Sequence, residues 1–373
     1  MSHTPSAIQY TCLVTCPFGL SSSLTSELKF LGFKPQNTFP TWTYVTTDME
    51  GIYRINLRSR IANKLYAQLA TGPTKTFEDL FQLTTQVDWQ QYIPPGVGVR
   101  VRALYDQDAR LHSERALQSV THKAILQGVD TTQPSIDGPV HEVLVVAHGP
   151  TTTIYINTSG DALHQRGRRK ETWPAPLKEN IAAAMILMAS RKFGAPLWDP
   201  CCGSWTLLIE AAMIARNIAP GRHRDFAFFD RQAFEQDARQ RHLDDAQKRM
   251  FADRTYQIYG TDHHEKMLTI AQKNAHSAGV ADTIRRESYD ITSSSPSPVA
   301  WWPWWIVTNP PYDQRLRVHN KMDLYGALVR YYEQWRKGVV LLPEDDETHH
   351  LWSKAKRKEI KNGNIRCKVY RYS

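Results

Sequence analysis

The chain has 373 residues, 41% hydrophobic and 22% charged, an ordinary globular composition with room for two or three domains. No apolar run approaches the roughly 18–20 residues that span a bilayer, and the first residues lack the basic and apolar stretches of a secretory leader. Five cysteines without Cys-x-x-Cys pairing argue against a disulfide framework or a zinc site, and a net charge of +9 permits a polyanionic partner without demanding one. A reduced, cytoplasmic protein is expected.

In chain order, residues 8–16 alternate as a strand, and Leu24 to Leu31 reads as a helix stopped by Gly32. Thr43 to Asp48 is a second strand, and Met49 to Ala70 reads as one long helix carrying Arg54, Arg58 and Arg60. A helix is expected around Glu78 to Leu83. Gly96 to Tyr105 alternates with its arginines on one face, Ser113 to Leu126 is a basic helix, and Val140–Ala147 and Thr151–Asn157 are two more strands. This first part is therefore an α+β region without a catalytic constellation, and a binding module is its natural reading.

The densest basic run, Leu163-His-Gln-Arg-Gly-Arg-Arg-Lys170, stands where composition changes. Such runs are often only solvated, but contact with phosphates is plausible chemistry for this one. A helix follows, then a short strand, Pro196 to Asp199, delivers the loop Pro200-Cys-Cys-Gly-Ser-Trp-Thr206 into the helix Leu207 to Arg216. Strand, acidic residue, glycine-bearing loop and helix open a doubly wound α/β domain, with a ligand at the strand's carboxyl end. The next unit, Gln257 to Asp262 before the helix Glu265 to Ser277, ends its strand on a carboxylate where a ribose diol would be held. The charged insertion between these units, about 222–255, has no functional reading.

The fourth strand of this domain runs into Asn309-Pro-Pro-Tyr312. The two prolines stiffen the turn and free its carbonyls, Asn309 adds a side-chain acceptor, and Tyr312 offers a stacking face. Two acceptors beside a flat platform suit a planar base with an exocyclic amine; alone, the tetrapeptide is also an ordinary strand-to-loop turn. The pairs His263-His264 and His349-His350 have no third ligand at metal spacing, and Cys201 and Cys202 have no histidine partner nearby, so neither metal nor thiol chemistry is expected.

Asp199-Pro-x-Cys-Gly-Ser-x-Thr, Gly260-Thr-Asp262 and Asn309-Pro-Pro-Tyr, in that order, resemble a class I S-adenosylmethionine-dependent methyltransferase acting on an exocyclic amine. Cys16-Pro-Phe-Gly-Leu, Tyr53-Arg-Ile-Asn-Leu-Arg-Ser-Arg, Leu163-His-Gln-Arg-Gly, Ala175-Pro-Leu-Lys-Glu and Asn362-Gly-Asn-Ile-Arg-Cys-Lys-Val-Tyr-Arg extend the similarity over most of the chain, to THUMP-domain RNA methyltransferases of the RlmL type. The resemblance implies a ferredoxin-like segment (1–44), a THUMP RNA-binding domain (45–157) and a Rossmann-like methyltransferase domain (158–373). It implies methylation of guanine N2, in 23S ribosomal RNA for the nearest relatives. Two enzyme alternatives stay open, tRNA guanine N2 and nucleic-acid adenine N6, as does an RNA-binding protein with an inactive methyltransferase domain.

By the same resemblance, Asp199, Cys201, Gly203, Ser204 and Thr206 approach the methionine part of S-adenosylmethionine. Asp262 takes its ribose and Asp290 its adenine amine. Asn309, Pro310, Pro311 and Tyr312 hold the target base, and Arg58, Arg166, Arg168 and Arg169 are expected on RNA phosphates. No metal or membrane partner is expected. The sequence departs from the family at Trp205 and Trp173, which replace glycines, and at Asp313 and Gln314 after the tyrosine. Trp301, Trp302, Trp304 and Trp305 also crowd the fourth strand. An indole at 205 is expected to crowd the cofactor. UGA codons that a host decodes as glycine, written out with the standard code, would put tryptophans at such positions.

Overall fold

The computed structural model describes residues 8–129, 139–167, 177–189, 195–227, 236–252, 254–262, 265–293, 304–311, 318–335, 337–344 and 346–372. The first part is built from β1 (Tyr10–Thr15), α1 (Ser21–Phe30), β2 (Trp42–Thr47), α2 (Met49–Arg58), β3 (Lys64–Pro73), α3 (Phe77–Thr85), β4 (Gly98–Tyr105), α4 (Glu114–Gly128), β5 (Val140–His148) and β6 (Thr151–Asn157). Its six strands form one sheet in the order β2-β1-β3-β6-β5-β4. The pairings are antiparallel except β4 with β5. Local chemistry sets the helix starts: Asp48 accepts from Gly51 N–H, and Thr76 with Asp79 forms a capping box at α3.

The long helix expected over 49–70 is two elements. α2 stops at Arg58, where the Glu27 carboxylate accepts from the Ser59 hydroxyl (2.6 Å) and the N–H groups of Arg60 (2.7 Å) and Ile61 (3.2 Å). Those backbone donors would otherwise continue the helix, so the chain turns extended, with Ser59 at ψ 130°, and enters β3. The division expected at 44/45 falls inside β2, which pairs along its whole length with β1.

The second part comprises α5 (Glu179–Met188), β7 (Leu197–Asp199), α6 (Thr206–Ala215), α7 (Gln236–Lys248), β8 (Ile258–Asp262), α8 (Glu265–Ser277), β9 (Ile284–Ser288), β10 (Trp305–Thr308), α9 (Val318–Trp335), β11 (Gly338–Pro343), β12 (Lys356–Asn362) and β13 (Ile365–Tyr372). Its sheet runs β12-β13-β11-β10-β7-β8-β9, parallel through the five strands from β11 to β9, with β13 and β12 added antiparallel at one edge. β7 and β11 are buried along their whole length, as strands covered on both faces must be. The Tyr331–Trp335 segment packs its aromatic rings on Trp198, as expected of helix core.

One hydrophobic core joins the two parts. Cys12, Leu24, Ile52 and Leu65 of the first belong to the same buried cluster as Ile181, Leu208, Ala211 and Val307 of the second. The insertion that had no reading supplies α7, which lies on α2: Asp245 pairs with Arg58 at 2.9 Å, and the His242 ring stands 5.5 Å from that of Tyr53. No helix among the described residues is long and apolar enough to cross a membrane.

Candidate active site

The strand order reverses between β7 and β10, because the strands that follow β7 in sequence lie on its other side until β10 returns. Ligands of open α/β sheets bind in the crevice at the carboxyl ends of the strands flanking such a reversal. Asp199 ends β7 and Asn309 directly follows β10, so the two motifs meet across this crevice.

Asp199 is 1% exposed. Its Oδ1 accepts from the Thr308 hydroxyl at 2.7 Å and from Cys201 N–H at 3.2 Å, while Oδ2 makes no hydrogen bond among the described residues. Burial pushes this carboxyl up to about 7; its two donors pull it down, and nearby Asp262 adds to the rise. On β8, Asp262 is half-buried and accepts Gly203 N–H at 2.9 Å, which ties the loop after β7 to the neighbouring strand. Exposed Asp290 follows β9 and accepts from the N–H and hydroxyl of Thr292. Three carboxyl groups thus stand at the ends of three adjacent strands, an acidic rim.

The loop itself is shaped by close approach. Gly260 on β8 has no room for a side chain, since a Cβ there would lie 2.3 Å from Leu208 Cδ1, so α6 packs directly on the strand. Gly203 adopts φ +46°. Trp205, the N-cap of α6, takes φ +66° and ψ +21°, the left-handed region that favours glycine. Its indole is 2% exposed and belongs to the shared core. Ser204 and Thr206 flank it, with Thr206 opening α6. Burial raises the Cys201 and Cys202 thiols well above their usual range, which leaves them protonated and unsuited to nucleophilic attack.

On the other wall, the Asn309 side-chain oxygen is shielded from solvent and has no hydrogen-bond partner among the described residues. Pro310 is buried and Pro311 partly so; the Pro311 carbonyl is 3.4 Å from the Tyr325 hydroxyl, which donates to it. The buried Tyr332 hydroxyl spans Ile306 O (3.2 Å) and Val339 O (2.9 Å) and holds β10 against β11. Tyr312, Asp313, Gln314, Trp173, Trp301, Trp302, Arg168, Arg169, His263 and His264 lie outside the described residues. Both ring nitrogens of His349 are engaged, with Glu344 O and the Tyr370 hydroxyl.

Arg166 and Arg58, expected on RNA phosphates, are both held in bonds within the protein. Arg166 is 5% exposed and donates to Glu210, to Leu163 O and to Arg60 O. Arg58 is mostly covered and paired to Asp245. Their charges are neutralised within the protein, and a phosphate would have to displace those partners. Thr308 was given no role in the sequence, although it is adjacent to a motif that was given one.

A family model described as "RMKL-like, methyltransferase domain" matches residues 166–372, and one described as "RlmL ferredoxin-like domain" matches residues 11–66. The "Ribosomal RNA large subunit methyltransferase K/L" of Saccharophagus degradans is 30% identical over 98% of this chain and 51% of its own length. The chain thus spans about half the length of the K/L proteins it matches. The "Putative RNA methyltransferase YpsC" of Bacillus subtilis is 28% identical and is covered over 96% of its length. The crystal structure of SMU.472, a putative methyltransferase complexed with SAH, superposes with a TM-score of 0.83 at 28% identity over 98% of each chain. With its catalytic family model matched over more than half of the sequence and a ferredoxin-like unit before it, the chain belongs to the RMKL-like methyltransferase family.

Proposed function

We propose that this protein transfers a methyl group from S-adenosylmethionine to the exocyclic N2 of a guanine in RNA, with large-subunit ribosomal RNA in the cytoplasm as the substrate. The observation that carries this reading is the Asn309 oxygen: a solvent-shielded acceptor without a partner among the described residues, one position after the Thr308 that bonds Asp199. An unpaired buried acceptor costs about 1–3 kcal/mol, which is recovered when a substrate N–H fills it. The names of the relatives and the bound SAH of SMU.472 support the substrate and cofactor classes.

The residues fit the cofactor. Asp199, Asp262 and Asp290 form an acidic rim suited to a ligand bearing an ammonium, a sulfonium, a ribose diol and an adenine amine. That cofactor supplies an electrophilic methyl on a good leaving group, so the protein's task is positioning. Asp199 Oδ2 would meet the ammonium, Asp262 the ribose and Asp290 the adenine amine. Asn309 and the Pro310 carbonyl accept the N–H groups of the target base, which keeps the nitrogen lone pair out of the ring and directs it at the methyl. Tyr312 stacks on the base, worth ~1–3 kcal/mol. The base must leave its stack to enter the crevice, which favours looped or single-stranded RNA. Residues 45–157, and the basic run containing Arg168 and Arg169, hold that RNA.

The test is incorporation of labelled methyl into unmodified 23S ribosomal RNA and tRNA transcripts, followed by nucleoside analysis. N2-methylguanosine in the ribosomal transcript is expected. N6-methyladenosine, label confined to tRNA, or no label at all would refute this assignment.

A further inference from the structure

The crevice is open because backbone pairing between β7 and β10 stops early. The register runs Trp305 with Leu197 and Ile306 with Trp198 and goes no further, whereas β10 stays paired to β11 through Thr308, and β7 to β8 through Asp199. Each wall is therefore held from outside by its own neighbour. Across the gap runs a side-chain bond, the Thr308 hydroxyl donating to Asp199 Oδ1 over 2.7 Å with both residues 0–1% exposed.

We propose that Thr308 is a positioning residue: its hydroxyl braces Asp199 across the gap between β7 and β10 and sets the spacing between cofactor and target base. This rests on the cofactor reading above. Threonine suits the task because its branched Cβ restricts χ1 and its hydroxyl has one proton to give. With Thr308 and Cys201 N–H both on Oδ1, the carboxylate cannot swivel, and Oδ2 is the oxygen left for a cationic group. Asn309 is the next residue in the chain, so the brace also fixes the base-holding turn relative to the cofactor strand. A methyl transfer needs donor and acceptor aligned to within about an ångström, and looseness of that size costs on the order of 100-fold in rate.

The bond also favours the charged form of Asp199. The titratable groups that face this carboxylate are Asp262 on β8, the Cys201 and Cys202 thiols of the loop and the Tyr332 hydroxyl of α9, with Asp290 acting on Cys201 beside it. All of these titrate, whereas Thr308 can be changed without altering a titrating group.

The experiment is calorimetric titration of S-adenosylhomocysteine into the full chain and its Thr308→Val and Thr308→Ser variants from pH 5.5 to 9, with thermal midpoints recorded alongside. Binding by the parent should strengthen as pH rises through about 7. Thr308→Val should weaken it roughly 10–100-fold, as expected for a lost hydrogen bond to a charged group, and move the midpoint up by about one pH unit. Thr308→Ser should restore both. Should the valine variant unfold, Thr308→Ala against Thr308→Ser makes the same comparison. Equal affinity and midpoint in the valine (or alanine) variant and the parent would overturn the brace while leaving the cofactor reading intact. No binding by the parent at any pH would overturn both.

Discussion

Arg166 Nε lies 3.2 Å from Glu210 Oε1, with the two side chains 5% and 1% exposed. The arginine also donates to the Arg60 carbonyl, and Arg60 in turn donates to Ile218 O, just past α6. A buried pair broken on one side strands a charge, at a cost of about 3–5 kcal/mol. Arg166→Met should lower unfolding free energy by that amount in urea titration. RNA binding by the folded fraction should keep its salt dependence, since no phosphate contact is lost. A shallower salt slope at unchanged stability would return Arg166 to the RNA surface.

Asp199 predicts a conflict between stability and function. Burial raises its carboxyl from 3.8 to about 7. Its contribution to stability is therefore complete below about pH 4, where it is protonated folded and unfolded, and is lost as pH rises through 7. At ~1.4 kcal/mol per pKa unit the loss is at most about 4 kcal/mol by pH 8. Asp199→Asn should melt above the parent at pH 8 and with it at pH 4, while S-adenosylhomocysteine binding disappears. A lower melting point at pH 8 would contradict the burial argument.

Asn309→Ala should leave S-adenosylhomocysteine affinity within about twofold and reduce methyl transfer by roughly 10²–10³, the usual loss when one preorganised polar group is removed from a reacting centre. Single-turnover rates on saturating RNA read this directly. An equal loss of cofactor affinity would place Asn309 in the cofactor site instead.

Trp205 is held at φ +66°, where a residue with a Cβ is strained by about 1–2 kcal/mol. Its indole is buried, and removing a buried tryptophan costs about 3–5 kcal/mol. Trp205→Gly should therefore lower stability by roughly 2 kcal/mol while keeping cofactor binding, because the parent indole lies in the core. Calorimetry on both proteins checks this; binding by the glycine form alone would show that the indole blocks the site. A UGA codon at 205, with glycine there in peptide masses from the native host, is the expected origin of a side chain on glycine's backbone, and UGG would refute it.

Much of the catalytic half is legible residue by residue. Asp199, Asp262 and Asn309 each follow a short apolar strand, and strand ends on one edge of a parallel sheet converge by topology alone. What escaped depends on distant partners. The β3 strand was read as helix because nothing local shows Glu27 capturing the N–H groups of Arg60 and Ile61 from more than 30 positions away. Arg166 looked like its solvated neighbours because Glu210, 44 positions on, neutralises it. Thr308 passed as an ordinary strand residue, since its role exists only once β7 lies beside β10.

The core shared by β1, α1, α2 and β3 with α5 and α6 has a consequence for reach. Two modules on a flexible tether could deliver a base from any distance the tether allows. Two halves packed as one solid would work as a caliper: the span from the proposed RNA-holding surface to Asn309 is constant. On the proposed function, such an enzyme would select its nucleotide partly by measurement, and an RNA whose target lay one helical step too near or too far would be refused however well its base fitted.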